Sequence, residues 1–83
     1  MWPECWDWEV AFTGHVQGRM EERGVTEVEV RSMLQRASGY SPSVVENRFM
    51  IETMHRGRPW IVIVEPDPDE RLLVIVTAYE SRR

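Results

Sequence analysis

PWIVIVEPDPDERLLVIVTAYE, residues 59–80, is the stretch whose reading decides the fold. Two apolar runs, Trp60–Val64 and Leu72–Val76, flank Pro66-Asp67-Pro68-Asp69, which breaks the pattern and reads as a polar turn. The spacing predicts strands over 60–65 and 72–79, paired as an antiparallel hairpin. Both runs are apolar at odd and even positions alike, so both of their faces call for cover. Helices supply one cover; a partner protein or a second copy is the expectation for the other.

Upstream, Arg56-Gly57-Arg58-Pro59 reads as a turn, and Val44 to Met54 alternates, with Phe49 and Ile51 against Arg48 and Glu52. Before that strand the period becomes helical. Thr26-Glu27-Val28-Glu29 fits a capping box, opening a helix that reaches about Ala37 and stops at Gly39. Val30, Met33, Leu34 and Ala37 recur at helical spacing and form its buried face. Thr13 caps an earlier helix from Gly14 to Arg23, closed by Gly24. At the start, Trp6, Trp8 and Val10 alternate with Asp7 and Glu9 as a short half-buried strand. The predicted order is β-α-α-β-β-β, an α+β fold in which two helices pack on an antiparallel sheet.

An 83-residue chain holds one core, so residues 1–83 read as a single domain. With 42% hydrophobic and 29% charged residues, the composition is that of a folded globule rather than a disordered chain. The longest apolar stretches are far short of the ~20 residues of a membrane span. MWPECWDWE lacks the basic and apolar regions of a signal peptide. Cys5 alone excludes an internal disulfide and a cysteine-rich zinc site. These features point to the cytoplasm. No cofactor or metal is expected: His15 and His55 have no clustered ligand partners, and Asp67, Asp69 and Glu70 lack the spacing of a calcium loop.

The net charge is −4, against broad nucleic-acid binding, yet all ten basic residues are arginine. Arginine presents a rigid fork suited to carboxylate or phosphate. His15, Arg19 and Arg23 stand four residues apart, one slowly winding stripe about 12 Å long bordering the core positions Val16 and Met20. Histidine suits proton transfer near neutral pH, and arginines suit a crowded phosphate. Together they can cleave RNA through its 2′-hydroxyl without a metal. The blander account is a solvated face with weak surface pairs to Glu22 and Glu27. His55, next to a turn, reads as exposed.

HVQGRMEERGV, TEVEVRSML and the late strands ending in VTAY resemble a family of small prokaryotic domains with the scheme H-x3-R-x3-R-G-[IV]. That family is grouped with RelE-like and BrnT-like toxins of type II toxin–antitoxin systems. The early WDW and the ENRFMIE strand are similar to the BrnT subgroup. The resemblance covers about residues 6 to 80 and implies a barnase-like ribonuclease fold. It implies a cytoplasmic endoribonuclease with an RNA substrate and a cognate antitoxin. His15, Arg19 and Arg23 would then be catalytic, and Arg48, Arg56, Arg58, Thr77 and Tyr79 RNA-binding. The chain departs from BrnT-like toxins in its acidic charge and in stopping at Arg83 without a basic segment. The alternative is a non-catalytic binding module on the same fold, forming a homo-oligomer or binding a regulatory protein.

Overall fold

Both helices begin at the caps written into the chain. Thr13 Oγ1 accepts from the Val16 amide, and Thr26 and Glu29 form a reciprocal capping box. The computed structural model describes residues 3–81. Along it run β1 (Glu9–Phe12), α1 (Gly14–Glu22), α2 (Glu27–Gln35), β2 (Gly39–Pro42), β3 (Phe49–His55), β4 (Arg58–Asp67) and β5 (Leu72–Glu80). Gly24, at φ +68°, turns the chain between the helices in a conformation that costs glycine nothing.

The sheet order is β1-β5-β4-β3-β2. β3, β4 and β5 are antiparallel neighbours, as the hairpin spacing predicts. The sheet is nevertheless mixed, because β1 lies parallel to β5, with Glu9 opposite Leu72 and Phe12 opposite Ile75. The pairing stops there, so among the described residues no strand lies beside the edge of β5 beyond Ile75. β2, which was not expected, pairs antiparallel to β3 on the other edge.

Three local expectations are corrected. Residues 4–7 form a 3-10 turn started by Pro3, and the strand begins only at Glu9. Trp6 and Trp8 still pack against the core. Val44–Asn47 form a turn rather than the start of β3: Asn47 adopts φ 69° and Val44 is fully exposed. β4 runs through Pro66 to Asp67, and the Asp67 carboxylate then accepts from the Asp69 and Glu70 amides to make the turn.

α1 lies on β5 and α2 on β3. Val16, Val30 and Met33 are completely buried against Ile51, Val62, Val64, Leu73 and Ile75. Each such side chain contributes about 1.5–3 kcal/mol relative to exposure. Inside this layer Thr53 Oγ1 donates to the Met33 carbonyl, one of the last carbonyls of α2, which otherwise receives only the shared amide of the C-cap residue Arg36. A bulge in β5 sets Ile75 opposite Val64 but Thr77 opposite Ile63. The extra residue shifts the alternation, so Ala78 rather than Thr77 enters the core.

Among the described residues no helix lies on the opposite face. Met50, Ile61, Ile63 and Val74 alternate with the buried positions and lie half-buried there, with Met54 45% exposed. The two-sided apolar character of the late strands thus corresponds to a covered face and an open one.

Candidate functional site

Arg23 is the residue around which the charged groups gather. It is the C-cap of α1, and its Nη1 donates to Thr77 Oγ1 and to the Ala78 carbonyl, both at 3.0 Å. These acceptors lie on the stretch of β5 that β1 leaves uncovered. An edge carbonyl needs a donor, and the guanidinium at the helix end supplies it.

Beside Arg23 the β3–β4 hairpin contributes His55, Arg56, Arg58 and Trp60. They line a cleft of about 220 Å³ together with Arg23 and Glu80. A wider cleft of about 520 Å³ adjoins it, sharing Arg23 and Trp60 and bounded by Tyr79 and Glu80. His55 is 7% exposed, not the open turn residue its sequence position implies. Its ring stands edge-on to Trp60 with centroids 5.3 Å apart, and its Nε2 is 3.6 Å from Glu29 Oε2. No short-range pattern reveals this, because Glu29 comes from the first turn of α2.

Glu29 is shared between tasks. It closes the capping box with the Thr26 amide at 2.9 Å and meets Arg56 Nη2 at 3.1 Å. The Thr26 amide, followed by Arg56, the Thr26 hydroxyl and His55, holds its carboxyl below the usual carboxylate range, against a smaller opposing effect of burial. Arg58 pairs with Glu80 at 3.1 Å.

The structure therefore brings together Arg23, Thr77, Tyr79, Arg56 and Arg58 of the residues expected from sequence. Arg48 is not among them. It pairs with Glu65 at 2.8 Å at the far end of β3, roughly 23 Å along the strand from His55. His15 and Arg19 are exposed on α1, and their side chains make no hydrogen bond or ion pair with another described residue. His15 lies about 12 Å along the helix axis from Arg23, so the two mark opposite ends of the stripe. Among the described residues no three His, Cys, Asp or Glu side chains gather as a metal-holding group. No helix there is long and apolar enough to cross a membrane.

Fold and site define a small α+β domain with an arginine-lined end to its sheet. A family model described as a domain of unknown function (DUF4258) matches residues 12–80, and the chain belongs to that family. Neither a curated protein nor a solved structure matches it.

Proposed function

We propose that this chain is the toxin of a type II toxin–antitoxin pair, a metal-independent endoribonuclease akin to RelE- and BrnT-like toxins, acting in the cytoplasm and neutralised by a cognate antitoxin. The observation that carries the reading is the open stripe on α1. Among the described residues Arg19 is the one arginine whose side chain makes no hydrogen bond, ion pair or ring contact to another, and the side chain of His15, one turn before it, is equally unengaged. In a chain of net charge −4, an arginine left without a carboxylate partner supports a role in holding an anionic ligand.

In the proposed reaction the 2′-oxygen of the RNA attacks the adjacent phosphorus while the bond to the 5′-oxygen breaks. His15 accepts the 2′-hydroxyl proton and returns one to the leaving oxygen. Arg19, one helical turn away, neutralises the charge that builds on the phosphate, and Arg23 holds the strand a further turn on. The antitoxin covers the stripe and the open sheet face. Induced expression in a bacterial host, paired with RNA cleavage by purified protein in excess chelator, tests this. Growth arrest and cleavage are expected, with His15→Ala reducing cleavage about 10²–10⁴-fold. Equal toxicity of wild type and variant, or no cleavage by the antitoxin-free protein, sinks the proposal.

The open apolar face and acidic charge favour a second reading, a non-catalytic module that binds a protein or its own copy through that face. Light scattering and partner recovery from cells separate the two.

A further inference from the structure

We propose that the cleft between the β3–β4 turn and the end of α1 is a phosphate subsite, where Arg23, Arg56 and Arg58 hold phosphate oxygens above His55. That the phosphate belongs to an RNA strand rests on the nuclease reading; the affinity for phosphate does not.

The first support is charge. Three guanidiniums and one carboxylate, Glu80, line this cleft, and with Glu29 paired to Arg56 the arginines still outnumber the carboxylates, leaving a positive end on an acidic chain. The arginines are only lightly spent. Arg56 and Arg58 each give one donor to a carboxylate, with side chains 72% and 69% exposed, and Arg23 uses one nitrogen. Such exposed pairs are weak, whereas a guanidinium fork meets phosphate with two parallel bonds.

The second support is a broken local rule. His55 pairs with Arg58, so Arg56-Gly57 is a two-residue hairpin connection, with φ 53° and 76°. Two positive φ values call for Asn-Gly or Asp-Gly. A long side chain at the first position holds a left-handed conformation it disfavours. An arginine kept there, against the backbone preference, places a guanidinium at the cleft; local rules broken in this way cluster at functional sites.

The third is shape. About 220 Å³ is smaller than the roughly 300–1,000 Å³ of small-molecule pockets, so the cleft takes a compact oxyanion or one unit of a polymer. The adjoining cleft shares Arg23 and offers the half-buried Tyr79 ring, a surface on which a neighbouring base can stack. A strand held at Arg23 thus has a continuous path to the hairpin.

Titration with inorganic phosphate, and separately with hexauridylate, followed by NMR of the full chain, tests the subsite. Both ligands should move the His55 ring and Trp60 indole resonances. Arg56→Asn and Arg58→Gln should each weaken binding about tenfold, the size of a lost charge-assisted contact, while Arg48→Gln should not. Arg56→Asn should also raise Tm, since Asn accepts the left-handed turn; a variant that folds better yet binds worse cannot be explained by misfolding. Unmoved His55 and Trp60 resonances, or wild-type binding by both cleft variants, overturn the subsite. Binding of phosphate without hexauridylate overturns its assignment to RNA. RNA binding without cleavage defeats the nuclease reading alone; undiminished cleavage by Arg56→Asn and Arg58→Gln defeats the subsite alone.

Discussion

Replacing Arg23 by Ala removes both bonds that tie the end of α1 to the uncovered edge of β5. One acceptor, Thr77 Oγ1, is near solvent and can turn to water. The other is the carbonyl of Ala78, a residue only 1% exposed. A hydrogen bond from a charged donor contributes about 1.5–3 kcal/mol when well shielded. Arg23 is itself exposed, so solvent screens it and the expected loss for both bonds together is about 1–2 kcal/mol. For a domain of this size, each kcal/mol moves Tm by about 4–8 °C, so Arg23→Ala should melt roughly 5–15 °C lower. Arg23→Lys should fall between, because an ammonium on a flexible stem cannot hold both acceptors with one fixed fork. Thermal unfolding followed by circular dichroism reads both variants, and Thr77→Val isolates the hydroxyl share. Arg23→Ala melting with the wild type would refute the claim that this guanidinium completes the sheet edge.

Thr53→Val keeps the shape of the side chain but leaves the Met33 carbonyl with only the Arg36 amide; urea unfolding should show a loss of about 0.5–1.5 kcal/mol, and an unchanged midpoint would contradict the buried bond. Glu29 has a folded pKa below its unfolded value, so its contribution is present above the unfolded pKa and disappears as pH falls through the folded one. Glu29→Gln should therefore be less stable than wild type near neutral pH and converge with it in acid; a constant gap from about pH 3 to 7 would oppose this. Cys5 is buried, and desolvation pushes its thiol above the ordinary value. A thiol-specific reagent should modify it slowly in the native protein and rapidly in denaturant, and fast native labelling would show the site to be open.

The sequence by itself determined what depends on neighbours a few residues away. Thr13, and Thr26 with Glu29, satisfy amide groups within one helical turn, and Gly24 supplies a conformation no neighbour has to enforce. The runs 60–65 and 72–79 carry their strand character residue by residue, and the acidic turn between them makes their pairing local. The arginine stripe was legible for the same reason, since four-residue spacing is a property of the helix alone. Misreadings fell where a pattern was too short to choose. Trp6, Trp8 and Val10 alternate like a strand, but Pro3 starts a tight turn first, and Val44 extends an alternation that Asn47 ends.

The tertiary structure decided everything that joins distant segments. Packing both helices on one face lets β1 lie parallel to β5 and leaves the last residues of β5 uncovered, which is why Arg23 reaches Thr77 and Ala78. Docking α2 on β3 sets Glu29 beside His55 and Arg56, burying a histidine that its turn position marks as exposed. Arg48 is parted from Arg56 by the extended length of β3 itself, and its partner Glu65 comes from the far end of β4. The contacts of Arg23 with β5 and of Glu29 with His55 and Arg56 cross 26 residues or more, and no local period encodes them; they follow from which apolar faces find each other when the core closes.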